Sequence, residues 1–154
     1  LIQEDEAARA KSYAFDLLLS RSYSKRQMMD KLKRKGYGQH AIDATLERLE
    51  QLGYIKDETY AQDWVDSRRR SKPRGKRMLK YELMNKGIDK TTVDRVLEDI
   101  DDEEEAGLAL QAAQKQVAHY WSLPPEVAKR RLHSFLLRRG FDYETIQRTI
   151  EQVL

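Results

Sequence analysis

Apolar residues in this chain recur with helical spacing, and the pattern is repeated three times. The repeats align on three glycines that lie 51 and 53 residues apart, Gly36, Gly87 and Gly140. Each glycine has apolar residues four and eight positions before it, Leu32 and Met28 in the first repeat. Apolar residues also follow each glycine at six, ten and thirteen positions. These spacings predict two helices, each with one apolar stripe, joined at a glycine that ends the first helix.

A further apolar stretch precedes each of these helix pairs, so every repeat is predicted to contain three helices. In the first repeat the helices cover about residues 4–20, 24–35 and 39–52. The chain lacks the alternation of apolar and polar residues that a half-buried strand requires. We therefore expect an all-α fold of three tandem three-helix repeats in an elongated, curved arrangement, with the repeats at 1–55, 56–100 and 101–154.

Residues with capping chemistry mark the helix starts in the first two repeats. Ser24 and Gln27 have the spacing of a capping box at the start of the first middle helix. In the second repeat, Asp57 is expected to cap the first helix. Pro73 is expected in the first turn of the middle helix, over 73–86.

The third repeat begins with five consecutive carboxylates at 101–105. They are expected to fill the first turn of a helix, where the helix dipole favours negative charge. This helix is predicted to continue to Trp121. Pro124 and Pro125 then open the middle helix, and Asp142 caps the last one.

Composition supports a helical fold and excludes several classes of protein. The 154 residues are 36% charged and 8% aromatic, with only seven glycines and three prolines, too few turn residues for a many-stranded sheet. Cysteine is absent, which excludes disulfides and thiolate chemistry and permits a reducing cytoplasm. The sequence contains no run of 18 apolar residues, so a membrane-spanning helix is not expected.

Charge follows helix position in all three repeats. Net charges of +5, +4 and +4 fall on the middle helices, over 24–35, 73–86 and 125–139. A net charge of −2 falls on each third helix, over 39–52, 89–99 and 142–154. The densest cluster has seven basic residues within the ten positions 68–77, and Lys80 extends it.

The basic residues are candidates for a surface that binds nucleic acid or a protein filament, because lysine and arginine attract phosphates and acidic grooves. The candidates are Lys25, Arg26, Lys33, Arg34, Arg68, Arg69, Arg70, Lys72, Arg74, Lys76, Arg77, Lys80, Arg130, Arg131 and Arg138. Alternatively, basic middle helices pair with acidic third helices inside each unit, at under about 1 kcal/mol per pair. This alternative is weakest for 68–77, since no nearby acidic run matches that segment.

A three-helix unit with a glycine turn is also typical of helix-turn-helix proteins, whose last helix reads the DNA major groove. Here the last helices are net negative and would be repelled by phosphates. Contact with DNA is therefore expected through the middle helices and 68–77, without sequence preference.

Catalytic, metal-binding and nucleotide-binding motifs are missing from the sequence. His40, His119 and His133 have no partner at the spacing of metal ligands. Neither a phosphate-binding loop nor a dinucleotide fingerprint occurs. No catalytic residue, metal or cofactor is assigned, and Trp64 and Trp121 are interpreted as core residues.

The segment 49–88 reads LEQLGYIKDETYAQDWVDSRRRSKPRGKRMLKYELMNKGI, with the elements LGYI, YA…WV…R and G…L…EL…KGI. These elements resemble the signature of the RecX recombination regulators. The flanking stretches SYSKRQMMDKLKRKGY and RRLHSFLLRRGFDYETIQ are similar to the same family. The sequence departs from the commonest pattern in having Lys56 before Asp57.

This resemblance implies a bacterial cytoplasmic regulator that binds the RecA recombinase filament, together with some binding to DNA. It implies three tandem three-helix repeats and no enzymatic activity. We also expect binding to single- and double-stranded DNA to be sequence-independent, and the protein to be a monomer without membrane association. Fold-defining roles would belong to Gly53, Tyr54, Tyr60, Ala61, Trp64 and Val65. The basic contact surface would contain Arg68, Arg69, Arg70, Arg74 and Lys76.

Two functions remain open at this point. The first is a regulator that lies in the groove of a RecA–DNA filament and suppresses ATP hydrolysis and strand exchange. The second is a non-specific DNA-binding protein that acts by competing for DNA. The acidic third helices favour the first, because they could contact basic surfaces of a recombinase whereas DNA would repel them.

Overall fold

Helices make up almost the whole fold. The computed structural model describes residues 2–154, apart from the side chain of Gln3. Within that range there are nine α-helices, one short 3-10 helix and no strand, which confirms the all-α prediction. The α-helices are α1 (Ile2–Ser20), α2 (Lys25–Lys35), α3 (Gln39–Gln51), α4 (Asp57–Ser71), α5 (Lys76–Asn85), α6 (Lys90–Glu98), α7 (Asp102–Val117), α8 (Pro125–Arg138) and α9 (Tyr143–Val153). They form three units, α1–α3, α4–α6 and α7–α9, and in each unit the first helix packs on the third.

The middle helices end at the predicted glycines. Gly36, Gly87 and Gly140 have φ angles of 102°, 86° and 91°, a left-handed conformation that a Cβ atom disfavours. The residue after each glycine donates its backbone N–H to a carbonyl five positions earlier, as Tyr37 does to Leu32 at 3.2 Å. These bonds satisfy carbonyls at the helix end and turn the chain into the third helix.

Three separate cores form from the predicted apolar stripes. The leucine four positions before each glycine is fully buried; these residues are Leu32, Leu83 and Leu136. Burial of one such side chain contributes about 1.5–3 kcal/mol. Each unit therefore has a core of its own, and the units meet at two small junctions.

At the first junction the amino end of α2 contacts the carboxyl end of α5. Ser24, the N-cap of α2, donates its hydroxyl to the backbone carbonyl of Lys86 at 2.8 Å. The backbone N–H of Lys25 donates to a carboxylate oxygen of Asp57 at 2.9 Å. The amino end of α2 in the first unit thus forms hydrogen bonds with the carboxyl end of α5 and with the carboxylate of Asp57, both in the second unit.

The second junction repeats this arrangement between α5 and α8. Gly75, the N-cap of α5, donates its backbone N–H to the carbonyl of Arg139 at 2.8 Å. The backbone N–H of Lys76 donates to a carboxylate oxygen of Glu105 at 3.2 Å. A Cβ on Gly75 would overlap the carbonyl of Gly140, so this approach requires glycine.

The two junctions place the three basic middle helices in one row. The carboxyl end of α8 meets the amino end of α5, and the carboxyl end of α5 meets the amino end of α2. Their dipoles follow one another with opposite partial charges in contact, which is favourable. The three helices that carry the predicted positive charge therefore follow one another end to end.

Several predicted helix starts are confirmed. Ser24 and Gln27 form both bonds of the capping box. Pro124 is the N-cap of α8, and Pro125 is its first residue. The side chain of Asp142 accepts a backbone N–H at the start of α9.

Two predictions at helix starts in the second unit are wrong. The N-cap of α4 is Lys56, because the carboxylate of Asp57 instead accepts the N–H of Lys25 across the junction. Pro73 lies in the loop before α5, because the helix starts after Gly75, where the chain meets α8. In both places a contact between units determines the helix start.

Candidate interaction surface

Part of the basic segment 68–77 is bound to acidic groups inside the protein. Arg68 and Arg74 each place Nε 3.6 Å from a different carboxylate oxygen of Glu82 on α5. The side chain of Arg74 is only 16% exposed. Internal pairing, the alternative that the sequence made weakest for this segment, therefore applies to Arg68 and Arg74, because their partner Glu82 comes from another helix.

Arg69 is held at the junction between the second and third units. Its guanidinium nitrogens lie 3.8 Å from Glu104 and 3.7 Å from Glu105, and the side chain is 13% exposed. Glu105 is buried, and burial raises the pKa of its carboxyl group. The N–H of Lys76 and the positive charges of Arg69 and Lys76 oppose this pKa shift. The acidic run 101–105 thus supplies a junction residue as well as a favourable helix start.

The remaining bases of the second unit divide into free and paired side chains. Arg70, Lys72 and Arg77 are exposed, and none of them forms an ion pair within residues 2–154. Lys80 lies 3.5 Å from Asp94 on α6. Among the candidate bases of this unit, Arg70, Lys72 and Arg77 are therefore the ones that are exposed and have no ion pair with another described residue.

In the first unit, one basic residue is paired with a third helix, as the alternative interpretation of the charges predicted. Nζ of Lys25 lies 2.9 Å from Glu50 on α3, and this hydrogen bond raises the pKa of Lys25. The side-chain stem of Arg26 packs against the turn after α5. Lys33 and Arg34 are exposed near the carboxyl end of α2 and have no ion-pair partner in the described part of the chain.

The third unit differs from the other two. Arg130, Arg131 and Arg138 on α8 are all exposed, and no ion pair between described residues includes any of them. On α9, Glu144 is paired with Arg148 of the same helix at 3.0 Å. Pairing between middle and third helices thus occurs in α2 and α5 but leaves α8 uncompensated.

The two tryptophans have different surroundings. Trp64 is half-buried and stacks on Tyr60, with ring centroids 6.4 Å apart. The guanidinium of Arg68 lies 4.2 Å from the Trp64 ring centroid, and Nζ of Lys86 lies 4.9 Å from it. Trp121 is 88% exposed, so its interpretation as a core residue is wrong. Helix α7 ends at Val117 and a 3-10 helix follows, so Trp121 does not continue the apolar stripe of α7.

The described residues contain neither a metal-binding cluster nor a membrane-spanning helix. Within 2–154, no group of three or more histidine, aspartate and glutamate side chains could hold a metal ion. None of the helices in this range is long and apolar enough to cross a membrane. The exposed carboxylates on the third helices include Glu47 and Glu98.

Together these features define a class of protein. It is a helical-repeat protein whose row of middle helices presents free cations and whose third helices present carboxylates. Such a surface can bind a charged partner at several places along the row.

Comparison with known proteins identifies the family. Models of the first, second and third three-helix domains of RecX match residues 10–49, 57–97 and 102–150. Regulatory protein RecX of Chlorobium phaeobacteroides (strain BS1) is 40% identical over 144 residues, 91% of this chain and 93% of the relative. Regulatory protein RecX of Prosthecochloris aestuarii is 32% identical over 153 residues, 99% of each chain. The crystal structure of RecX from Lactobacillus salivarius has the same fold, with a TM-score of 0.91 over 97% of both chains at 22% identity.

This chain belongs to the RecX family, which consists of regulatory proteins and not of enzymes. The three-repeat fold expected from the glycine pattern is thereby confirmed. The protein is a RecX-type regulator.

Proposed function

We propose that this protein binds the RecA–DNA filament and inhibits ATP hydrolysis and strand exchange by the recombinase. One observation carries the proposal: free cations on the middle helices coexist with exposed carboxylates on the third helices. DNA attracts the first set and repels the second, whereas a filament of protein and DNA offers partners to both. Membership of the RecX family supports the recombinase as the partner, and the activity would take place in the bacterial cytoplasm.

We infer that the contribution of DNA to this binding is independent of sequence. The available bases are on middle helices and the adjoining loop, and the third helices carry net negative charge. Contacts of this kind go to phosphates, which are the same at every base pair. Affinity for DNA alone should therefore fall steeply as the salt concentration rises.

A second candidate function is competition for DNA without contact to the recombinase. The observation that favours it is the set of exposed bases without an ion pair among the described residues, Arg70, Lys72 and Arg77. Such a protein would inhibit only by occupying the sites on which the filament assembles. Its effect would require enough protein to cover the DNA.

The rate of ATP hydrolysis by RecA on single-stranded DNA distinguishes the two functions. The protein is titrated at a fixed amount of RecA, and each titration is repeated with a severalfold excess of DNA. A regulator that contacts the filament inhibits well below one molecule per RecA monomer and is little affected by the added DNA. Inhibition that needs stoichiometric coverage and is relieved in proportion to added DNA would leave competition as the function.

A further inference from the structure

A cavity of about 320 Å³ lies between α7 and α8 in the third unit. Its lining consists of Gln116, Tyr120, Arg130, Arg131, Ser134 and Arg138, and contains no carboxylate. Four other cavities each have at least one aspartate or glutamate in their lining. The volume is at the lower end of the range for ligand pockets, about 300–1,000 Å³. This cavity therefore suits a small anionic group.

Hydrogen-bond donors dominate the walls of this cavity. Nε2 of Gln116 donates to the hydroxyl oxygen of Tyr120 at 3.2 Å. That bond occupies an acceptor position on Tyr120, so the hydroxyl proton of Tyr120 remains available to a ligand. Ser134 contributes a second hydroxyl, and arginine guanidinium groups can only donate.

The positive charge of the cavity is not balanced from within the protein. Its three arginines have no ion-pair partner in the described chain, whereas Lys25 and Lys80 on the other middle helices are paired. The field near the end of α8 is also positive. Burial lowers the pKa of Arg139, and the neighbouring charges of Arg74 and Arg138 lower it further.

The arrangement extends beyond the size of one phosphate. Arg130, Ser134 and Arg138 are spaced by four residues, so they lie on one face of α8 over about 12 Å. Trp121, 88% exposed, follows Tyr120 directly in the chain. The third unit thus combines free arginines with an exposed tryptophan that follows a lining residue in the chain. Proteins hold single strands with such residues, because phosphates bind to basic side chains and a nucleobase stacks on an aromatic ring.

We propose that the third unit binds single-stranded nucleic acid, with backbone phosphates in the cavity between α7 and α8 and an unstacked base on Trp121. The inference rests on the proposed function, because it names the unit through which the protein would hold the DNA of the filament. It is carried by two orientable hydroxyls, an exposed indole and three arginines that form no ion pair with any residue the structure describes. Arginine forks form paired bonds with phosphate oxygens, and the indole face accepts any base.

The first test measures the affinity for a fluorescently labelled oligothymidylate of about 10 nucleotides, within the usual site size. The variant is Arg130→Gln/Arg138→Gln. The control is Lys115→Gln/Lys129→Gln, which removes the same charge from exposed positions on α7 and α8 outside the cavity lining. The cavity variant should bind about tenfold more weakly, and the salt slope should fall by about 0.7 for each phosphate that the protein no longer neutralises. The control should stay within about twofold of the parent, and both variants should keep the parental melting temperature.

The second test uses Trp121→Ala. Loss of the stacking surface should weaken binding to the oligothymidylate about tenfold without changing the salt slope, because no charge is removed. Binding to a duplex of the same length should change little, since bases in a duplex are already stacked. A variant that weakens single-strand and duplex binding equally would overturn the stacking part of the inference.

Other occupants give different results in the same assays. Inorganic phosphate, compared with chloride at equal ionic strength, should displace the oligonucleotide only weakly. Complete displacement at a low phosphate concentration would instead assign the cavity to a small phosphate ligand. Equal effects of the cavity and control variants on oligonucleotide binding would overturn the proposal.

If the cavity variant binds the oligonucleotide normally but loses affinity for the recombinase, the ligand is an acidic protein surface. If single-strand binding follows the prediction while the protein has no effect on RecA, this inference stands and the proposed function fails.

Discussion

Arg69 and Arg70 are neighbours in the sequence with opposite surroundings. Arg69 is 13% exposed and lies between Glu104 and Glu105 at the junction of two units. Arg70 is exposed and has no ion-pair partner in the described chain. An arginine side chain thus stabilises the protein at position 69, whereas the arginine at position 70 is available to a partner.

Replacement of each arginine by glutamine separates these roles. Arg69→Gln should lower the free energy of unfolding by about 1–3 kcal/mol, because it leaves a buried carboxylate without its partner. Arg70→Gln should change it by less than about 0.5 kcal/mol but reduce the salt dependence of DNA binding. Urea unfolding and DNA titrations at several salt concentrations measure the two effects. Equal loss of stability in both variants would contradict the assignment of Arg69 to the junction.

Glu105 gives this junction a dependence on pH. Burial raises the pKa of its carboxyl group above the ordinary value of 4.5. A carboxyl group with a raised folded-state pKa stabilises the fold at low pH, and that contribution is lost as the pH rises through the folded-state pKa. At this position the ionised form of the carboxyl group is therefore less favourable than the protonated form.

Glu105→Gln tests the sign of this effect. Glutamine keeps an oxygen that can accept the N–H of Lys76 but cannot ionise. The difference in melting temperature between the variant and the parent should be more positive at pH 7 than at pH 4, because only the parent loses stability as its buried carboxyl group ionises. Glu105→Ala should melt lower than the parent at both pH values, since it also removes the acceptor. A glutamine variant that loses stability only at pH 7 would mean that attraction to Arg69 exceeds the cost of burial.

At the scale of helices, glycines serve two different purposes. Gly75 starts α5 against the backbone of Gly140, where a Cβ has no space. Gly107 lies in the middle of α7 at an exposed position. Apart from the glycine itself, its two chain neighbours and the nearby backbone of the same helix, no described atom is within 4 Å of the place its Cβ would occupy. Only the first of these positions needs glycine for packing.

Alanine at each position should therefore have effects of opposite sign. Gly75→Ala should destabilise the protein by about 1–3 kcal/mol, since the junction must open to admit the methyl group. Gly107→Ala should stabilise it by up to about 1 kcal/mol, the difference in helix propensity between the two residues. Urea midpoints measure both effects. A neutral Gly75→Ala variant would show that the junction adjusts without cost.

Helix positions and their glycine ends follow from the sequence because they depend on local spacing and backbone conformation. Leu32 and Gly36 are examples. A buried leucine four positions before a glycine that ends a helix can be recognised from residues within about one helical turn of each other. The predictions for Asp57 and Pro73 are wrong because the chain around them contacts other units. Glu82 and Glu105 are missed as partners of the arginines, because an ion pair between distant segments leaves no local pattern. Among the candidate bases, sequence alone therefore does not separate free from paired side chains.

Across the whole molecule, the end-to-end junctions bring the three middle helices into one row of positive charge, while carboxylates on the third helices remain exposed. Glu47 on α3 and Glu98 on α6 are exposed and have no ion-pair partner among residues 2–154. Glu50 is unsuitable for testing this surface, because its change would also break the pair with Lys25. Glu47 and Glu98 therefore report on contacts with a partner and not on internal stability.

The double variant Glu47→Lys/Glu98→Lys tests whether the acidic surface contacts the recombinase. It should weaken inhibition of RecA ATPase severalfold, because side chains that faced basic groups would now repel them. Affinity for bare DNA should be unchanged or higher, since repulsion from phosphates is reduced. The control is Asp16→Lys/Asp63→Lys, with the same change in charge at exposed positions on the first helices.

The control distinguishes a contact at the third helices from a general effect of net charge. If the two double variants alter inhibition equally, and inhibition follows DNA affinity in both, the acidic surface has no partner and competition for DNA explains the activity. If only Glu47→Lys/Glu98→Lys loses inhibition while its DNA affinity is maintained, bare DNA cannot be the target. An unchanged melting temperature in both variants excludes unfolding as the cause. The recombinase surface would then be the one that carries basic groups opposite α3 and α6.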